Sequence, residues 1–278
     1  MSTADRRRLL GPIDASPLYS DITPKVHSSV GEAGKSDKEV RKVFIKTGLV
    51  SNASGSSYIE ASNIIVEVSV FGPRPIRGSF TDRASFSVEC KFLPYLKQPQ
   101  EDLFRGDTHA NNNGRQGLTE VEHKISQYVE TAFLPCIILE KYPKSTIDVF
   151  ITVISTGNTT APSSILNLTN WIVNCSSLAL IDSGIEIKDI VTSGHIKYLQ
   201  SEQRLIVDPL ENEEREDALD CLVSFESLKN DEIVGLWIDG NQKLLTEELL
   251  SKFIKECSSM SEKIRANFNN YLLKLCEN

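Results

Sequence analysis

No two of the six cysteines form a C-x-x-C pair, and none of the four histidines stands at ligand spacing from another. Paired spacing is the usual signature of a structural zinc or dithiol redox site. Its absence argues against a zinc site, and the expectation is no metal and no cofactor. Cys90, Cys136, Cys175, Cys221, Cys257 and Cys276, several of them inside apolar runs, then read as reduced, buried thiols of an intracellular protein. A basic excess is missing too, since 30 Lys and Arg face 38 Asp and Glu for a formal net charge of -8. Proteins that coat nucleic acid do so by neutralising phosphates, so this balance excludes a free-standing coat protein. It leaves room for a local basic site on an acidic body. No window approaches the ~20 apolar residues of a membrane span. The opening "MSTADRRRLLGPID" lacks the apolar stretch of ~7–15 residues that a secretory signal needs. The sequons at Asn52, Asn158, Asn167 and Asn174 therefore read as chance matches in a chain rich in Ser, Thr and Asn. There is no internal repeat.

What is present is ordinary globular material, 40% hydrophobic and 24% charged over 278 residues. That length suffices for one large domain with a sizeable core. Residues 1–40 are an arm rather than part of the core. Their Ser, Pro, Asp, Lys and Gly content cannot bury enough surface to offset the entropy of ordering. Within the arm, Arg6, Arg7, Arg8, Leu9 and Leu10 are either solvated tail charge or a short peptide that docks on a partner.

Residues 41–278 form the domain. Alternating apolar runs predict strands at 42–50, around 58–62, at 64–71 and at 85–92. A polar loop follows over 97–117. The 118–142 stretch has helical spacing and should break or kink at Pro135. A strand over 145–155 precedes a helix over 163–184 that is apolar on most sides, hence central and buried, with Gly184 just past its end. Three strands occupy 204–240, interrupted by the acidic run "ENEERED". A long amphipathic helix capped by Thr246 closes the chain. Strands in blocks with buried helices between them predict an α/β (α+β) domain.

One stretch resists a purely structural account. "VFGPRPIRGSF" (70–80) follows an alternating run that should end at Phe71, then places Arg74 and Arg77 among Gly and Pro. Either the arginines keep a turn soluble, or a braced loop holds them toward an anion.

The strings "TGLVSNASGSSYIEA", "VEVSVFGPRPIRGSF", "LEKYPKSTIDVFITVI" and "SSLALIDSGIEIKDIV", in this order and spacing, resemble RNase PH-like proteins over about residues 40–240. "DRRRLLGP" with "GPRPIRGSF" narrows the likeness to ring subunits of the fungal RNA exosome. The resemblance implies a two-sheet fold of the ribosomal protein S5 domain 2-like kind, built from ββαβα-type halves. It implies a six-membered ring of RNase PH-like subunits around a channel for single-stranded RNA, with RNA-binding cap subunits. Work on rRNA, snoRNA and mRNA in nucleus, nucleolus and cytoplasm follows from the same likeness, with no membrane partner. The loop bearing Arg74 and Arg77 would face the channel mouth, and the Arg6–Leu10 arm would dock on another exosome protein.

Active members of such a family split RNA with inorganic phosphate, so two anions must be held together by cationic or N–H clamps. By the resemblance, one clamp is a Gly-Gly-Thr-Arg run entering the central helix. Here residues 165–170 read "ILNLTN", with Thr169 near the arginine position. A second, an Arg-Ser pair, belongs near the start of the 118–141 helix, where Arg115 is the nearest arginine. Of the acids, Asp208 is kept and Glu214 is available, but Leu210 stands where an aspartate is common. Acids without clamps repel phosphate. The expectation is a subunit that is not an enzyme and has no catalytic residues, with Asp208 a turn residue at a strand end. An active phosphorolytic 3′–5′ exoribonuclease is the alternative, and an unrelated α/β interaction protein a third.

Overall fold

A computed structural model describes residues 39–78, 80–96, 118–156, 164–199, 203–209, 218–226, 232–240 and 245–277. The arm but for its last two residues, the 97–117 loop and the acidic run lie outside them.

Alternation builds the first sheet. In β3 (Ile64–Pro75) the side chains of Ile64, Val66, Val68 and Val70 are buried while their neighbours are half-buried. β1 (Val43–Thr47) and β2 (Gly55–Ala61) pair antiparallel, as do β2 and β3. β4 (Ser85–Phe92) lies parallel to β5 (Ser145–Thr156), which is antiparallel to β3. The order is β1-β2-β3-β5-β4.

Helix α1 (Glu120–Phe133) opens with a capping box. Thr119 Oγ1 accepts the Glu122 N–H, and Glu122 Oε2 accepts the Thr119 N–H. The other Glu122 oxygen takes the Phe92 N–H at 2.9 Å, and Ser126 Oγ takes the Cys90 N–H at 2.8 Å. The helix thus satisfies the outer donors of edge strand β4, which would otherwise invite pairing with another chain. It stops at Phe133, two residues before Pro135, and Leu139–Lys141 forms a separate 3₁₀ turn.

Helix α2 (Ser164–Asp182) lies between the two sheets. One side meets β2, where the Ser57 hydroxyl donates to the Cys175 carbonyl at 2.6 Å. The other meets β6 (Val191–Leu199), where Asn174 Oδ1 accepts the Ser193 N–H at 3.1 Å. The expected central, buried helix is therefore observed.

The second sheet holds β6, β7 (Arg204–Val207), β8 (Ala218–Glu226) and β9 (Glu232–Asp239) in the order β7-β6-β8-β9, all antiparallel. Strand β6 was absent from the sequence expectation, yet it is central to this sheet. Thr, Ser, Gly, His and Lys interrupt its apolar residues, although all but Tyr198 are buried. The Thr192 and Ser193 hydroxyls each find a partner on a covering helix. Ser193 donates to Asn170 Oδ1 on α2, and Thr192 Oγ1 lies 2.6 Å from Ser261 Oγ on α3 (Glu247–Glu277). A strand covered on both faces need not alternate.

Gly194 explains how closely α3 approaches, because a Cβ there would overlap the Cys257 carbonyl oxygen. The 31 residues of α3 give ~46 Å of helix, and its Phe253, Cys257, Met260, Ile264 and Phe268 are buried. Among the described residues the element order is ββββαβα followed by ββββα, so each half carries more strands before its first helix than the ββαβα pattern implied. The fold class is α/β with two sheets, as expected.

Candidate functional site: an arginine loop and a closed acidic site

Strand β3 does not end at Phe71. After a register irregularity between Phe71 and Arg74 it resumes pairing with β5, Arg74 opposite Thr146 and Pro75 opposite Ser145. Gly72 sits in the irregularity at φ +139°, where its missing Cβ would lie 2.6 Å from the Thr146 carbonyl oxygen. The Gly72–Pro73 peptide is cis. Arg74 is thereby a strand residue, not a loop residue. Its guanidinium lies over the Phe71 ring at 4.7 Å, and that ring meets Phe150 edge-on at 5.6 Å. Stacking fixes the side chain while leaving its N–H groups free to donate outward.

Beyond Pro75 the chain is tied at two points to one residue. The Ile76 N–H donates to the Lys144 carbonyl at 3.0 Å, and the Lys144 N–H donates to the Thr81 carbonyl at 3.0 Å. Arg77 stands inside this closed turn and Gly78 follows at φ +139°. Arg74 and Arg77 are both exposed, and neither has a carboxylate partner among the described residues.

The acidic position is occupied differently. Asp208 follows β7 directly, at φ +53°, and is fully buried. Its backbone N–H donates to the His195 carbonyl at 3.0 Å. Arg41, only 6% exposed, grips the carboxylate. The Arg41 backbone N–H reaches Oδ2 at 2.8 Å, Nε reaches Oδ1 at 2.8 Å, and Nη2 lies 2.6 Å from Oδ1. Nη2 also donates to the Pro209 carbonyl at 2.9 Å and to Asn167 Oδ1 at 3.3 Å, and the guanidinium lies over Trp171 at 5.6 Å. The carboxylate faces an arginine of the same domain, with no exposed surface to offer a phosphate.

Thr169, which stands near the expected clamp position, is fully buried. Its hydroxyl donates to the Ile165 carbonyl one turn back at 2.7 Å. Arg115, Leu210 and Glu214 lie outside the described residues, as do Arg6, Arg7, Arg8, Leu9 and Leu10. Among the described residues no three His, Cys, Asp or Glu side chains gather as a metal site, and no helix is long and apolar enough to cross a membrane. Arg41 is the residue the sequence did not point to. It lies 167 positions from Asp208, and no local pattern links them. Lys197 and Asp220, buried cross-strand neighbours on β6 and β8 with Nζ to Oδ1 at 4.0 Å, were also unforeseen.

Five of the six cysteines are buried and Cys276 is exposed. Burial pushes the Cys175 thiol up to about 12 and raises those of Cys90, Cys136 and Cys257 as well. None of these four is a ready thiolate nucleophile.

A family model described as 3′ exoribonuclease family, domain 1 (RNase PH) matches residues 39–186, more than half of the chain. The chain is 26% identical over 275 residues to the exosome complex component MTR3 of Chaetomium thermophilum, covering 91% of this chain and 92% of that one. It is 27% identical over 276 residues to the exosome complex component mtr3 of Schizosaccharomyces pombe, covering 97% and 96%. The crystal structure of rice Rrp46 superposes with a TM-score of 0.67 at 17% identity, over 87% of this chain and 99% of that one. The two-sheet fold, the order of the strings in the sequence and the matched model agree: the chain belongs to the RNase PH, or 3′ exoribonuclease, family.

Proposed function

We propose that this protein is a non-catalytic subunit of the exosome ring, which supports 3′–5′ RNA processing and decay by building the ring and by touching RNA in its channel. The observation that carries the non-catalytic part is the buried pair between Arg41 and Asp208. A carboxylate already neutralised and enclosed by its own domain is not available to bind a metal or move a proton. Thr169, bonded to its own helix, offers phosphate no clamp. The Arg74 guanidinium at the end of β3 and the Arg77 guanidinium in the turn beyond it, both without a carboxylate partner among the described residues, favour contact with RNA phosphates in a way that no base sequence restricts.

Ring assembly is supported by the resemblance to exosome components and by exposed apolar side chains on two edge strands, β1 and β9. Phe44 on β1 is 56% exposed, and Ile233 and Leu236 on β9 are each 46% exposed. Edge strands with exposed apolar side chains need covering, and a ring subunit has a neighbour on each side. The RNase PH-like neighbours, the cap subunits met by Arg6–Leu10, and work in nucleus, nucleolus and cytoplasm complete this reading. Purification of the tagged full chain, with identification of what accompanies it, is the test. RNase PH-like and RNA-binding subunits in equal amounts support the ring. A lone, soluble monomer overturns it.

A further inference from the structure

We infer that Phe80 is a stacking platform for one base of the RNA whose phosphates meet Arg74 and Arg77, with Arg83 as a further phosphate contact; this rests on the RNA-contacting role proposed above.

Phe80 is 69% exposed. Ala84 and Phe86, a few residues on, are buried, so the chain turns inward just after it. A phenylalanine in water forgoes the burial that normally places it in a core. Here the exposure is held in place. Thr81, the next residue, is bonded through its carbonyl to the Lys144 N–H, and the Ala84 N–H donates to the Leu139 carbonyl at 3.0 Å. The ring is presented from a tethered backbone rather than from a loose tip, which lowers the ordering cost of binding.

Its surroundings offer two chemistries. A hollow of about 890 Å³ beside Phe80 has Ile76, Leu134 and Leu139 on its walls, with the carboxylates of Asp82 and Glu140. The carboxylates repel a phosphate but accept N–H groups from a base edge. Arg83 lines the same hollow, and Arg74 and Arg77 precede Phe80 by six and three residues in the chain; all three are exposed and without a carboxylate partner among the described residues. An aromatic face flanked by free arginines is how single strands are held without sequence preference: the base stacks and the backbone is neutralised. Three exposed arginines within residues 74–83, on either side of one exposed ring in a chain of net charge -8, favour a polyanion.

The test uses the assembled complex and a fluorescent single-stranded RNA, beside the same backbone made abasic over its central stretch. Phe80→Ala should weaken RNA binding about tenfold, with the salt slope unchanged because no charge is lost. Phe80→Trp should restore it, and the abasic strand should not distinguish the three proteins. Arg74→Glu with Arg77→Glu serves as the separate arm. If that pair weakens binding and Phe80→Ala does not, the stacking inference fails and the RNA-contacting role stands. If neither changes binding, both fail. If Phe80→Ala releases a subunit from the complex, Phe80 is a protein contact and the inference is overturned.

Discussion

Arg41 and Asp208 form a buried ion pair in which the arginine's backbone N–H, Nε and Nη2 all approach one carboxylate, between 2.6 and 2.9 Å. Such a pair is costly to break from one side, because the survivor is left charged and enclosed. Asp208→Ala should therefore lower unfolding stability by ~3–5 kcal/mol. Arg41→Met with Asp208→Asn removes both charges and keeps at 208 a residue that tolerates positive φ. Urea unfolding of the two single variants and the double should show strong coupling, with the double more stable than the sum of the singles requires. Additive losses would mean that the two residues act independently.

The backbone of α3 limits what β6 can carry. Gly194→Ala places a methyl group against the Cys257 carbonyl, and neither backbone can give way without shifting a helix or the central strand. Thermal unfolding should fall by several degrees or the chain should fail to accumulate. Ser193→Ala, which removes hydrogen bonds to Asn170 but adds no bulk, should cost less. Equal effects would show that the close approach is not limiting.

Thiol reactivity separates the cysteines. Burial raises the Cys90, Cys136, Cys175 and Cys257 thiols above their usual range, so thiolate is scarce there at pH 8. In the native protein an alkylating reagent should modify Cys276 quickly. The buried thiols should react only after denaturant is added, and raising the pH to 9 should not recruit these four. Rapid native modification of Cys175 would contradict the burial of α2 between the sheets.

The core was legible wherever one face of an element met water. The alternation of Ile64–Val70 gave its strand, and the stripe of α3 gave its length. Strand β6 was not legible, because helices cover both faces, so that Thr192 and Ser193 bond to helices and Lys197 pairs with Asp220 on β8 instead of alternating with apolar residues. Asp208 was legible as a strand-end acid, but its partner Arg41 was not, since an ion pair across 167 positions leaves no periodic trace. The arginine loop was read as a turn after Phe71, whereas pairing with β5 continues to Pro75 through an irregularity that no propensity encodes.

The arginines themselves are open to a charge test. Arg74→Glu with Arg77→Glu should leave the complex assembled and weaken its binding of single-stranded RNA, with the salt slope reduced by at most ~0.7 per lost phosphate contact. Unchanged affinity and slope, with the neighbouring subunits' channel charges also reversed, would reduce both residues to solubilising charges.

The central claim is that the acidic position serves the fold and not the chemistry. Its most direct measurement is phosphate-dependent release of nucleoside diphosphates from 3′-labelled RNA by the purified complex. The comparison is between the wild-type chain and the Arg41→Met, Asp208→Asn double variant, at a temperature where both remain assembled. The account predicts the same rate for the two complexes. A phosphate-dependent release that the wild-type complex shows and the equally assembled variant loses would contradict it, and would assign Asp208 to an active site.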